Sequence, residues 1–314
     1  MDTHTQFIGV GRNMPDFFRS GNMDFRSAEA PHFEGYRTIR RLGVGAGSVI
    51  YKVEDEKTGD IFALKHVVRQ EAKDKRIVEQ VENEYKVANQ IDYPYLRKIY
   101  KIHRVRKHLQ VREVFLLMEY CDGISLEQSP RRTVLDLLLI FRMVIDGLNG
   151  MHNAGLLHCD MKPNNIIISE KGSIRIIDLG QSCPIGTIKP RIQGTPDYIA
   201  PEQVKRKPLS KQTDVFNLGA TMYWSYTGKN IPTLIPKNRR KVDRVELADT
   251  RKSSRPESPH EMKSKIPVGV SNLIMECVNE NPQDRPADMP TMLARVDMLI
   301  HMIAGTKRPV ASEE

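Results

Sequence analysis

Eight residues that join a long apolar helical pattern to three consecutive isoleucines constrain this chain more than any other stretch. Thr133 to Asn153 carries Leu137, Leu138, Phe141, Ile145, Leu148 and His152 along one side at helical spacing, and Gly155 is placed to cap the helix in the left-handed region. Ile166-Ile167-Ile168 reads as a strand. Between them lies His158-Cys159-Asp160-Met161-Lys162-Pro163-Asn164-Asn165, a loop held at both ends by rigid elements. Such a loop can bring Asp160, Lys162 and Asn165 within reach of one reacting group. A carboxylate for a hydroxyl proton, a cation for a moving phosphoryl and an amide for a metal together suit phosphoryl transfer. A histidine–aspartate loop can also be purely structural, so what decides is which other parts the chain carries, and in what order.

Upstream, Leu42-Gly43-Val44-Gly45-Ala46-Gly47-Ser48-Val49-Ile50-Tyr51 is a glycine-rich turn between β-formers, a hairpin whose backbone N–H groups can close over phosphates. Ile61 to Val67 is a strand with Lys65 among apolar neighbours, and Glu71 to Ile91 is a helix with Ile77, Val81, Val87 and Ile91 at helical spacing. Arg97 to Arg112 reads as a strand pair with a basic tip, Arg104, Arg106, Lys107 and Arg112, which charge protects as a solvated edge. Val114 to Cys121 is a strand buried on both faces, with a lobe boundary near Asp122-Gly123. Downstream come Ile174-Arg175-Ile176-Ile177-Asp178-Leu179-Gly180, an aperiodic and mobile segment over 181–199, and Gly194-Thr195-Pro196-Asp197-Tyr198-Ile199-Ala200-Pro201-Glu202-Gln203. Thr213-Asp214-Val215-Phe216-Asn217-Leu218-Gly219, Asn281 to Pro286 and an amphipathic helix over Met289 to Ile303 complete the series.

In this order and spacing the motifs resemble those of the eukaryotic-type (Hanks-type) Ser/Thr protein kinases over about residues 35 to 303, and Pro201-Glu202-Gln203 with the compact loops is similar to bacterial members. The resemblance implies an α+β, bilobal protein-kinase-like fold: a small β-rich N-lobe with one main helix over about 35–121, and a larger, mainly helical C-lobe over about 122–303. It implies ATP and Mg²⁺. Leu42, Gly43, Gly45, Ser48 and Ile50 would cover the nucleotide, with Ser48 where the family has its third glycine and Gly47 supplying the flexibility. Ala63, Met118 and Ile167 join the nucleotide-binding set, and Glu119 to Cys121 would offer backbone hydrogen bonds to the base. Lys65 would hold the α- and β-phosphates and Glu84 would fix its direction, a better match than Glu82 or Glu79. Asn165 and Asp178 would hold Mg²⁺, Asp160 would orient the substrate hydroxyl and accept its proton, and Lys162 would neutralise charge on the γ-phosphoryl. Asp214 would hold the backbone of the catalytic loop, and Arg285 would pair with Glu202.

Besides Ser48, the resemblance departs at three places. Cys159 stands where most of the family carries arginine, which makes the chain non-RD. Leu179 replaces phenylalanine. Ala88 stands four residues beyond Glu84 where a bulky apolar residue is usual, so that contact should be thin and the helix mobile. Ser48, Cys159 and Ala88 favour the alternative of a pseudokinase scaffold with weak or no catalysis. A small-molecule kinase is disfavoured by Lys162 and by the Ala-Pro-Glu anchor. Lys162 with Thr195 resembles the Ser/Thr-specific branch, so protein substrates with Ser/Thr acceptors are expected, with autophosphorylation in cis or trans open.

Composition closes other routes. The net charge of +9 is spread along the chain and mixed with acids, with no nucleic-acid motif, so no nucleic-acid partner is expected. No stretch approaches the roughly 20 apolar residues of a membrane span. Met1-Asp2-Thr3-His4 lacks the basic start and apolar core of a signal peptide, and the 4 cysteines lack paired spacing for zinc or disulfides, so a reducing cytoplasm is expected. Residues 1–34 read as a largely disordered extension from which Phe17, Phe18 and Phe25 could dock, 236–267 as a polar, partly disordered insertion and 304–314 as a disordered tail. Oligomeric state is not legible.

Overall fold

The computed structural model describes residues 33–45, 47–71, 74–107, 110–235 and 256–305. The first lobe is a five-stranded antiparallel sheet, β1 (Tyr36–Gly45), β2 (Ser48–Asp55), β3 (Ile61–Val68), β4 (Ile99–Lys107) and β5 (Gln110–Glu119), in the order β1-β2-β3-β5-β4, with one helix, α1 (Lys75–Ala88). Alternation along β3 sends Ala63 and Val67 to the face covered by α1, where they pack with Val78, Val81, Val114, Leu116 and Met118. Leu64 faces the other way, into a cluster of Val53, Phe115, Leu117 and Phe33. The ring of Phe33, the first described residue, stacks on Phe115 at 5.2 Å. Phe17, Phe18 and Phe25 lie outside the described residues.

The second lobe is built on helices: α2 (Val134–Asn153), α3 (Pro201–Val204), α4 (Lys211–Thr227), α5 (Pro259–Met262), α6 (Val268–Cys277) and α7 (Met289–Gly305). Short strands β6 (Ile124–Ser125), β8 (Ile166–Ile168) and β9 (Ile174–Ile176) form one small sheet, and β7 (Leu156–Leu157) pairs with β10 (Cys183–Pro184). α2 begins in a reciprocal cap: Thr133 Oγ1 accepts from the Asp136 amide and the Asp136 carboxylate accepts from the Thr133 amide, an arrangement that contributes about 1 kcal/mol. The helix stops as expected, with Gly155 at φ +74. The predicted stripe, Leu137, Leu138, Phe141, Ile145, Leu148 and His152, is buried in the main core. The expected bilobal α+β architecture is therefore present.

Four local readings change. α1 is shorter than Glu71 to Ile91, because the Gln70 and Glu71 amides donate to the Asp74 carboxylate instead of entering a helix. Ala88 is packed against the apolar clusters of both lobes, so the contact expected to be thin is made. The strand read as Val114 to Cys121 starts earlier, since β5 itself forms the second arm of the hairpin, and β4 is the sheet edge. Of the expected insertion, 236–255 lies outside the described residues, whereas 259–267 is folded: Ser258 caps α5, and Pro259 and Ile266 are buried against the core. Among the described residues no helix is long and apolar enough to cross a membrane.

Candidate active site

The sheet register lines up the residues expected at the nucleotide. Gly43 is opposite Ile50, Ile50 opposite Lys65, and Lys65 opposite Leu116, while Ala63 is opposite Met118 one pleat along. The hairpin turns at Gly45–Ser48, where Ser48 is buried. Gly47 has φ +77, which favours glycine, and a Cβ there would lie 2.2 Å from Ile77 Cδ1 of α1, so that side chain would have to move for any larger residue. At the far end of β5, the Glu119 amide donates to the Lys98 carbonyl, and the Glu119 carboxylate accepts from Arg175 Nε of β9 at 2.9 Å. Cys121 follows, half-buried, and burial pushes its thiol up to about 11. Ile167 is half-buried between the fully covered Ile166 and Ile168.

Lys65 Nζ donates to Glu84 Oε2 at 2.7 Å and lies 3.8 Å from Asp178 Oδ1. Burial opposes the charged ammonium, but Glu84 and Asp178 outweigh it and raise its pKa. Glu84 is fully buried and carries a second cation: Arg97 Nη2 donates to Oε1 at 3.1 Å. The Arg97 amide in turn donates to the Ile176 carbonyl of β9, and the Ile176 amide donates to the Tyr95 carbonyl. Asp178 sits at φ +65 with its side chain 41% exposed. Burial would raise its pKa, but Lys65, then Lys162 and Arg97, hold it below the usual carboxylate range.

On the 158–165 loop, both oxygens of Asp160 are engaged. Oδ2 accepts from Lys162 Nζ at 2.9 Å, and Oδ1 accepts from the Thr195 amide and hydroxyl, each at 2.8 Å. Lys162 Nζ also reaches Thr195 Oγ1 at 2.9 Å. Two oxygens offer about four lone-pair positions, so the carboxylate has room for a further hydroxyl donor. The Asn165 amide nitrogen is fixed on the Asp160 carbonyl at 2.9 Å, which leaves its oxygen as the end available to a cation. With the Asp178 carboxylate this is a pair of hard oxygen donors, which fits Mg²⁺, an ion that keeps several waters or phosphate oxygens in its shell. Among the described residues no cluster of three His, Cys, Asp or Glu side chains could hold a metal by itself.

The loop is bolted from below. Asp214 Oδ2 accepts from the His158 amide and Oδ1 from the Cys159 amide, at 2.9 and 2.8 Å, and His152 Nε2 meets Oδ2 at 2.9 Å. Burial would raise the Asp214 pKa, yet the hydrogen bond with His152, the charges of His152 and His158 and the Cys159 amide lower it. These bonds hold Cys159 at φ +64, a conformation costing an ordinary residue about 1–2 kcal/mol. Arg285 makes a two-pronged bridge to Glu202 at 2.8 and 3.0 Å, donates to three carbonyls and covers the Phe216 ring. The 181–199 segment, expected to be mobile, is fixed along its first half. β10 pairs with β7, the Ile185 amide donates to Gly155, the Gly186 amide to Leu209, and the Leu209 amide to Thr187.

Three contributors escaped the sequence reading. Arg97, which the sequence pattern puts in the solvated hairpin, is buried on Glu84. Asn83 Nδ2 donates to the Gly180 and Ser182 carbonyls at 3.1 and 2.9 Å, clamping α1 to the stretch after Asp178. Gln203 Nε2 donates to the Cys159 carbonyl at 2.8 Å, so both sides of the Cys159 backbone are held. Only position relative to a motif could have pointed to the last two, and nothing local marks Arg97.

A family model, the protein kinase domain, matches residues 36–296. The chain is 33% identical over 199 residues to human myosin light chain kinase family member 4, covering 60% of this chain and 48% of that one. It is 30% identical over 205 residues to the probable serine/threonine-protein kinase pknA2 of Bifidobacterium longum, covering 62% and 26%. It is 33% identical over 201 residues to the inactive serine/threonine-protein kinase PLK5 of the mouse, covering 62% and 33%. The chain thus spans about half or less of the length of these relatives.

Proposed function

The chain belongs to the protein kinase family, and from that premise we propose that it is an active, ATP-dependent Ser/Thr protein kinase of the non-RD type that uses Mg²⁺. One observation carries the reading: the parts that must meet are already together, with Lys65 on Glu84 at 2.7 Å, Asp178 beside Lys65, and Asp160 linked to Lys162 and Thr195. Pre-positioned charge needs no reorganisation at the moment of reaction, which is where most catalytic stabilisation arises. Lys65 holds nucleotide phosphates in the direction Glu84 sets. Asp160 orients the acceptor Ser or Thr hydroxyl and takes its proton, and Lys162 neutralises charge as the phosphoryl moves between oxygens. Asn165 and Asp178 would hold the magnesium, whose chemistry is to offset charge on the phosphate oxygens. The hinge carbonyl and amide groups of Glu119 to Cys121 take the base, between Ala63, Met118 and Ile167.

Thr195 supports the hydroxyl specificity, since its own hydroxyl already occupies part of Asp160 and would lie beside an acceptor of the same kind. The 4 free cysteines support a reducing, cytoplasmic setting. The other reading is a scaffold without catalysis, which the inactive mouse relative brings into play. Transfer of labelled phosphate from ATP to a generic basic protein separates them. Wild type should transfer and Asp160→Asn should not; no transfer by wild type above the Asp160→Asn background would leave the scaffold.

A further inference from the structure

Two cysteines outside this mechanism face each other across its two central segments. Cys159 Sγ, directly before Asp160, lies 3.5 Å from Cys183 Sγ near the start of the 181–199 segment, the activation segment of the kinase reading, in a small apolar cluster with Leu157 and Leu209. We propose that they form a peroxide-responsive dithiol, in which Cys183 is oxidised first, Cys159 resolves it, and the resulting disulfide fastens the activation segment to the catalytic loop.

The roles follow from the surroundings. Cys159 is 1% exposed and immobilised: its amide is held by Asp214 and its carbonyl by Gln203. Cys183 is 6% exposed on a strand of only two residues, so the small, uncharged oxidant arrives there. The hydrogen bond from the Cys159 thiol, followed by Lys189 and Thr187, overcomes burial and brings the Cys183 thiol down to about 7, whereas the same contact and burial push Cys159 up. The Cys183 thiolate attacks one peroxide oxygen, the O–O bond breaks, and the leaving hydroxide takes a proton to become water. Cys159 sulfur then attacks Cys183 sulfur. The S–S bond forms as the S–O bond breaks, and the departing hydroxide leaves as water with the Cys159 proton. In sum two thiols and one hydrogen peroxide give one disulfide and two waters. The sulfurs must close from 3.5 Å to about 2.05 Å, a movement within reach of the side chains and the short strand.

The step requires no phosphoryl transfer, so its test stands apart from the kinase reading. Full-length protein is treated with one equivalent of hydrogen peroxide, quenched with a thiol-blocking reagent and mapped by mass spectrometry. Expected is a peptide pair joining Cys159 and Cys183 that has lost two hydrogens and is restored by dithiothreitol. Cys121 and Cys277 serve as internal controls, because burial pushes their thiols up to about 11 and about 12. Cys159→Ala removes both the resolving thiol and the hydrogen bond that lowers the Cys183 pKa, so Cys183 should oxidise more slowly but, once oxidised, should be trapped as a dimedone adduct instead of a disulfide; Cys183→Ala should leave Cys159 unmodified. The linked wild type should melt several degrees higher than the reduced form. A wild type that gives the dimedone adduct as readily as Cys159→Ala, or that oxidises Cys121 or Cys277 first, overturns the pairing. A linked protein with the Tm of the reduced form overturns the fastening.

Discussion

Glu84 gives the sharpest test, because one buried carboxylate serves two cations. Its oxygens take Lys65 at 2.7 Å and Arg97 at 3.1 Å, with the side chains of Glu84, Arg97 and Lys65 only 1%, 9% and 13% exposed. Glu84→Gln keeps the shape and removes the charge, which leaves two cations facing each other out of water. Breaking a buried ion pair by removing one partner costs about 3–5 kcal/mol. For a domain of this size each kcal/mol moves Tm by roughly 2–4 °C, so a fall on the order of 10 °C is expected. Lys65→Met differs: Arg97 still neutralises Glu84 and the methionine fills the lysine stem's place, so the loss should be about 1 kcal/mol, or about 3 °C. Both variants should lose phosphoryl transfer by about 10²–10³ or more, since Lys65→Met removes the charge at the phosphates and Glu84→Gln removes the carboxylate that aims it. Calorimetric melting and a single-turnover transfer assay on the same preparations separate the two effects. Equal Tm losses in both variants would refute the reasoning, for they would mean that Arg97 does not share the carboxylate.

Four further outcomes are expected. Asp178→Asn should abolish transfer while calorimetry still detects adenosine binding through the hinge; wild-type transfer by this variant would remove Asp178 from the metal site. Arg285→Ala should cost about 3–5 kcal/mol in urea unfolding because Glu202 is stranded in the interior, and Arg285→Lys should recover only part, lacking the two-pronged geometry. Enzyme stripped of phosphate, checked by mass spectrometry, should phosphorylate a separate peptide at an initial rate within tenfold of the Thr187-phosphorylated form (about 1.4 kcal/mol of barrier), since Cys159 offers no donor fork to capture a phosphate. Iodoacetamide labelling of Cys183, which faces Cys159, Lys189, Thr187 and Asp214, should rise with pH through about 7, because its lowered pKa makes the reactive thiolate the form above that point; a midpoint near that of an ordinary thiol would count against the assigned environment.

The sequence carried the loop over 158–165, Lys65, Asp178, Asp214 and the Glu202–Arg285 pair because their spacing within and between motifs is itself the constraint that sets their geometry. Helix α2 was legible for a local reason: its apolar stripe, Thr133 cap and Gly155 stop all agree. Arg97 was not legible. An arginine bound for the interior looks like any other until the partner 13 residues earlier is known to lie beside it. The start of α1 escaped for a related reason, as the Asp74 side chain competes for amides that helical periodicity would assign to the helix. Similarly, the order in the 181–199 segment comes from backbone partners at Gly155 and Leu209, which no side-chain pattern encodes.

Arg97 also decides how many independent ways the cleft can deform. Its guanidinium grips Glu84 on α1, while its amide is tied to the Ile176 carbonyl, two residues before Asp178. Swinging the helix outward and withdrawing the strand that carries Asp178 are therefore not two separate freedoms but one, with this arginine as the linkage on one side of Asp178 and the Asn83 clamp on the other. A small molecule that wedges α1 away would pull on Asp178 even if it touched nothing beyond the helix. A ligand that gripped Asp178 would, by the same reciprocity, stiffen α1.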